Sequence, residues 1–221
     1  MSVAAVVMVA ILGQAAAQPV APTVVTANER DEGFVALFDG RSLTGWQTIP
    51  LGENPGAWVV RDGVLTHTPG DSWIATTGTY TDFVLRLEYR TGSETDSGIF
   101  LRSPAKGYPS FTGMEFEIRN DPTGAPTARS NTSLYGAAAA RRNATKADGE
   151  WNVVEISLVK RRLVARWNGE TIHDLDLDDP AYAGALRGPL SARAASGHVG
   201  FQAHLTGTPV EFRAIRIKEV R

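Results

Sequence analysis

The chain has 221 residues, with 22 Lys and Arg against 24 Asp and Glu, so its formal net charge is −2. That balance offers no basic stripe for DNA or RNA, and the absence of cysteine excludes disulfides, thiolate metal centres and thiol nucleophiles. An apolar fraction of 43% against 21% charged residues is the composition of a folded domain, not of a disordered chain. In chain order, Val3 to Leu12 is an uncharged apolar run, followed by Ala15-Ala16-Ala17. Residues 1–17 are therefore expected to be a signal peptide cut near Ala17–Gln18, with a periplasmic or secreted product. The run is too short to span a membrane, which takes about 20 residues. No Lys or Arg precedes it. Residues 18–33 read as a flexible lead-in, and residues 34–221 as one domain.

Within that domain the dominant period is two. Phe83-Val84-Leu85-Arg86-Leu87-Glu88-Tyr89-Arg90 places four apolar side chains on one strand face and the charges on the other. Similar runs occur at Trp58–Leu65, Ser97–Arg102, Met114–Ile118, Trp151–Val159, Leu163–Trp167, His198–His204 and Val210–Ile217. Turn clusters separate them, and Asn168-Gly169 is the clearest hairpin signal because both residues tolerate positive φ. Helix is expected only at Ser133–Arg142 and Pro180–Leu186, segments too short to organise a fold. An all-β sandwich of two antiparallel sheets is the predicted architecture.

Four strands carry polar groups opposite their core face. Glu115 and Glu117 alternate with Met114, Phe116 and Ile118; Arg102 shares its face with Phe100; Gln202 and His204 oppose Phe201 and Ala203; Glu88 opposes Leu87 and Tyr89. A solvated outer sheet face accounts for such a pattern. Lysine is absent from all four strands, however, and His, Gln, Arg and Glu are the residues that sugar or acyl sites use. Phosphate-binding glycine loops, a nucleophile elbow and zinc-type histidine spacing are missing. His67, His173, His198 and His204 are the only histidines.

Several blocks resemble one family. They are Leu37-Phe38-Asp39-Gly40 through Gly45-Trp46, Trp58 to Leu65, Tyr80 to Arg90, Asp96-Ser97-Gly98-Ile99-Phe100-Leu101-Arg102, Gly113 to Ile118, and Ser133-Leu134-Tyr135-Gly136. Gly149-Glu150-Trp151-Asn152, Trp167-Asn168-Gly169, Gly200 to His204 and Val210 to Ile215 complete the order. In sequence, over residues 34–219, they resemble the 3-keto-disaccharide hydrolase domain family. Asp96, Glu117 and Ala214 depart from its pattern, which usually has Asn, Gln and Asn there. The resemblance implies a concanavalin A-like jelly roll cleaving the glycosidic bond of 3-keto-disaccharides or 3-keto-glycosides, by hydrolysis or elimination.

A C3 ketone acidifies the C2 proton, so such a site needs a base, a stabiliser for the enolate oxygen and an acid for the leaving group. His204 is the expected base or acid, because an imidazole titrates near neutrality. Glu115 is its expected partner: a carboxylic acid, a supporting carboxylate or a metal ligand. Arg102 is expected to hold the enolate oxygen or a hydroxyl pair in its planar fork. Glu88, Glu117 and Gln202 are expected to orient these groups or bind sugar hydroxyls, and Tyr135 and Trp73, placed in loops, to form a stacking wall. Glu115 and Glu117 lie two apart on one strand, roughly 6.6–6.8 Å between Cα atoms, so they flank the same side of a ligand instead of straddling its bond. A calcium-like site of Glu115, Glu117, Asp96 and loop carbonyls stays open, since oxygen ligands suit such a cation. No certain cofactor follows from the sequence. The partner is a small 3-keto sugar, with no nucleic acid and no membrane after signal removal; the oligomeric state is left unassigned. A non-catalytic carbohydrate-binding module is the alternative function, since sandwiches of this kind are also lectin scaffolds.

Overall fold

The computed structural model of the chain describes residues 25–120 and 124–221; the expected signal peptide, residues 1–17, and residues 18–24 of the lead-in lie outside them. Thirteen strands are described: β1 (Val35–Ala36), β2 (Trp46–Pro50), β3 (Trp58–Arg61), β4 (Val64–His67), β5 (Ser72–Thr76), β6 (Phe83–Arg90), β7 (Asp96–Ser103), β8 (Met114–Arg119), β9 (Asn152–Val159), β10 (Arg162–Trp167), β11 (Glu170–Asp176), β12 (His198–Ala203) and β13 (Glu211–Glu219). They form two antiparallel sheets. One has the order β11-β10-β9-β6-β13-β4-β3, with β1 beside β13; the other is β2-β5-β12-β7-β8. The predicted all-β sandwich is the observed fold.

The alternation read from the sequence builds the core. Phe83, Leu85, Leu87 and Tyr89 of β6 are buried, while Val84, Arg86, Glu88 and Arg90 between them are half exposed. Facing them are Ile99 and Leu101 of β7, Phe116 and Ile118 of β8, and Val199 and Phe201 of β12. Aromatic contacts join the sheets: the rings of Phe201 and Phe212 stack at 4.1 Å, and those of Phe116 and Trp167 meet at 5.3 Å. Both residues of Asn168-Gly169 (φ 50° and 87°) and of Asp62-Gly63 (φ 50° and 79°) have positive φ, as tight hairpins require. The second turn divides the Trp58–Leu65 run into the β3–β4 hairpin.

Three local expectations are corrected. Residues 25–33 are not a loose lead-in: Thr26 forms a capping box with Glu29 at the start of α1 (Ala27–Asp31). Glu29 is then buried against the eight-stranded sheet, accepting from Arg216 at 2.7 Å and Arg86 at 3.2 Å. Ser133–Arg142 is not a helix. Positive φ at Gly136 interrupts it, just after a left-handed Thr132, and its backbone instead pairs with the edge of β8: Glu117 N donates to Ser133 O, Thr132 N to Glu117 O, and Tyr135 N to Glu115 O. The unpaired peptide groups of an edge strand favour this outcome over a helix. Pro180–Leu186 yields only one 3-10 turn, Pro180–Tyr182, capped by Asp179.

Candidate active site

The outer face of the five-stranded sheet carries the site. Register alone maps it. Phe100 pairs with Glu115, Gly98 with Glu117 and Asp96 with Arg119 between β7 and β8. On the other flank, Gly200 of β12 pairs with Phe100 of β7 and with Ala75 of β5, and Gln202 pairs with Trp73. Because strand side chains alternate, Asp96, Gly98 and Phe100 share a face with Glu115, Glu117, Arg119, Gln202 and His204.

One half of this face is closed by apolar packing. Trp73 is 0% exposed and meets Phe100 edge-on at 5.7 Å, with Ala75, Ile49 and Leu51 around the pair. Gly200 makes room for it: a Cβ there would lie 2.6 Å from the indole ring. Trp73 therefore lies in β5, not in a loop, and offers no ring to a ligand. The other half is an open cleft of about 190 Å³. Asp96, Glu115, Glu117, Gln202 and His204 line it, with Ser110, Phe111, Tyr135 and Arg119 as walls. The segment paired along β8 brings Tyr135 to the cleft, through the bond from its N–H to Glu115 O.

Glu115 is the chemically distinctive group. Its residue is 6% exposed, it makes no hydrogen bond to another described side chain, and its carboxyl rests on Gly98, where a Cβ would lie 2.3 Å from Oε1. Burial first, then the carboxylates of Glu117 and Asp96, push its pKa well above the usual glutamate range. Glu117 is also buried and has Arg119 Nη1 at 3.9 Å. His204 is half-buried at the end of β12, its Nδ1 3.4 Å from Thr206 Oγ1. The cleft thus combines a buried carboxyl whose ionisation is disfavoured, an imidazole, a guanidinium and two further carboxylates. Among the described residues, no three His, Cys, Asp or Glu side chains group so as to hold a metal ion.

Two expected site residues lie elsewhere. Glu88 belongs to the other sheet, where it pairs with Arg213 at 2.8 Å. Arg102 does not share the outer face with Phe100. Its positive φ of 48° breaks the alternation at the end of β7, and its guanidinium turns inward to Thr81 O (2.8 Å), Lys160 O (3.0 Å), Leu158 O (3.4 Å) and Asp82 Oδ1 (3.1 Å). It is 1% exposed and joins the two sheets. The cleft's guanidinium is Arg119, which extending the Glu115–Glu117 alternation by two residues identifies. Phe111, in the short helix α2 (Pro109–Thr112), carries no periodic signal that would mark it.

Residues 33–218 match the family model of the 3-keto-alpha-glucoside-1,2-lyase-like domain. The chain belongs to this family. A curated relative from Bacteroides thetaiotaomicron, a 3-keto-disaccharide hydrolase, is 24% identical over 85% of this chain and 78% of its own length. A provisionally assigned glycosyl hydrolase from Parabacteroides distasonis superposes with a TM-score of 0.78 at 23% identity, covering 90% of this chain and all of that one. The carbohydrate-binding module CBM66 of Bacillus subtilis superposes at 0.53 with 12% identity, over 79% and 96% of the two chains. The structural likenesses establish the concanavalin A-like jelly-roll sandwich. Membership of the 3-keto-alpha-glucoside-1,2-lyase-like family makes the protein a member of a carbohydrate-active enzyme family.

Proposed function

We propose that the protein cleaves the glycosidic bond of 3-keto-glycosides by C2 deprotonation and β-elimination, with His204 as base and Glu115 as acid. The observation that carries this reading is the Glu115 carboxyl, buried against Gly98 in a cleft that also contains the His204 imidazole, where burial and the neighbouring carboxylates raise its pKa. His204 removes the C2 proton, and the electron pair forms the C2–C3 enolate with negative charge on O3. Collapse of the enolate re-forms the ketone and a C1–C2 double bond and breaks the bond from C1 to the leaving oxygen. Glu115 gives that oxygen its proton, so the alcohol leaves neutral. Addition of water across C1–C2 then completes a net hydrolysis. Arg119 is the cation available to the enolate oxygen, and Gln202 and Glu117 are placed to hold hydroxyls. The family membership and the name of the Bacteroides relative support a 3-keto sugar as substrate.

Incubating the purified protein with a 3-keto-glucoside and following aglycone release tests the reading. Release is expected, falling roughly 10²- to 10⁴-fold in both Glu115→Gln and His204→Ala, with the far-UV spectrum and melting transition retained. Binding without release by the wild type would make the domain a binding module instead.

A further inference from the structure

His173 is a buried histidine outside the cleft. It lies in β11, an edge strand of the eight-stranded sheet, and is 1% exposed. Its Nε2 lies 2.9 Å from Thr132 O. A carbonyl only accepts, so Nε2 carries the ring proton and donates it to this bond. The imidazole also meets the Phe116 ring at 5.3 Å, and Phe116 stands between Glu115 and Glu117 in β8. One side chain of the larger sheet thus reaches both β8 and the segment paired along it.

Thr132 needs such a tie. Its φ of 61° is left-handed, a conformation that a β-branched residue adopts only under strain. Its side chain is fully buried and Oγ1 has no hydrogen-bond partner, so backbone groups hold the turn. Thr132 N donates to Glu117 O at 2.8 Å, and Thr132 O accepts from His173. The turn sends residues 133–135 back along β8, where Tyr135 N donates to Glu115 O at 2.8 Å. Further on, Arg141 N donates at 3.1 Å to the carbonyl of Ile172, next to His173. β11 therefore brackets the segment at both ends. Glu115 and Glu117 are also held by the β7–β8 ladder, whereas Tyr135 reaches the cleft on this segment alone.

We infer that His173 is a positioning residue: through Thr132 O it fixes the segment that presents Tyr135 to the ligand, and so sets affinity instead of the chemical step. The inference rests on the proposed function and adds to it a determinant outside the cleft. A wall residue touches ground state and transition state alike, so its displacement raises KM and spares kcat. His173→Phe keeps a ring against Phe116 and removes the donor. In assays of aglycone release from a 3-keto-glucoside it is expected to raise KM roughly three- to tenfold, as loss of one aromatic contact would give, with kcat within about twofold of the wild type. His173→Gln, whose amide nitrogen reaches the Nε2 position, is expected to restore KM. His173→Asn, whose amide ends short of it, is expected to behave as the Phe variant does and replaces it in the comparison should that variant fail to fold. In a Tyr135→Ala background, His173→Phe is expected to leave KM where Tyr135→Ala alone puts it. A His173→Phe protein that melts earlier with an unchanged KM would make the histidine structural only. That result, a rise in KM that Gln does not restore, or one that survives in the Tyr135→Ala background would each overturn the inference, while release by the wild type leaves the proposed function standing. No release by the wild type would overturn the proposed function and this role with it.

Discussion

Glu115 owes its raised pKa to burial and to neighbours that strand register sets. Gly98, across the pair from Glu117, leaves the hollow in which the carboxyl sinks out of water. Asp96 and Glu117 add negative charge nearby, where the family pattern usually has Asn and Gln. Both effects disfavour the ionised form, and burial is the larger. Replacing a neighbour should therefore move the acid's titration in a defined direction. In Glu117→Gln one negative charge is lost, the Glu115 carboxylate becomes less unfavourable, and its pKa falls. The alkaline limb of the kcat/KM–pH profile is expected to shift to lower pH, because the acid surrenders its proton sooner. Asp96→Asn is expected to act in the same sense, by less. An alkaline limb that stays in place in both variants would mean that Glu115 is not the acid that this limb reports.

At the scale of elements, the cleft depends on a joint it does not touch. Arg102 leaves the β7 alternation at a left-handed residue and ties that strand to Thr81 and Asp82 ahead of β6 and to the β9–β10 turn. Arg102→Met keeps the stem and removes these bonds, so three carbonyls lose the guanidinium donor and Asp82 keeps only the Lys160 N–H. A loss of about 3 kcal/mol is expected in urea denaturation, with kcat of the folded fraction retained. A large fall in kcat without loss of stability would return Arg102 to the site. This residue also shows where sequence reading reaches its limit. Period-two alternation placed Glu115 with Glu117, and Gln202 with His204, on the outward faces of their own strands, because strand geometry alone sets that face. It misplaced Arg102, since one left-handed residue ends the alternation without any glycine to signal it. It also could not assign Glu88 to a sheet: alternation fixes a face, whereas sheet membership depends on partners distant in sequence, here Arg213. Tyr135 was found through motif resemblance, but its edge pairing with β8 replaced the helix expected from an alanine-rich run. Arg119 lay within reach of the same alternation, two residues beyond Glu117, whereas Phe111 needed the three-dimensional cleft.

For the molecule as a whole, two buried glutamates, Glu29 of α1 against the eight-stranded sheet and Glu115 on the five-stranded one, make stability depend on pH in opposite senses. Burial works against ionisation of Glu29, but the Arg216 and Thr26 hydrogen bonds outweigh it and lower its pKa to about 2. Its stabilisation is fully present above the ordinary value of about 4.5 and is lost as pH falls toward 2. The contribution is at most about 3 kcal/mol, reduced by solvent screening on the outer sheet face. Glu115 has the opposite sign. Its raised pKa lets the native state keep a proton that the unfolded chain releases above about 4.5. Stability therefore declines as pH rises from there through the native pKa. Together the two groups place a maximum near the ordinary glutamate pKa, with a rise on the acid side governed by Glu29 and a fall on the other governed by Glu115. Urea denaturation across pH 3–9 separates them. Glu29→Gln is expected to flatten the acid limb alone. Glu115→Gln is expected to flatten the neutral-to-alkaline limb, gaining stability over the wild type as pH rises even as it loses activity. That is the trade expected when an acid is kept buried for catalysis. A Glu115→Gln curve that runs parallel to the wild type at every pH would show that this carboxyl ionises normally, and the proposed acid would have to be sought elsewhere in the cleft.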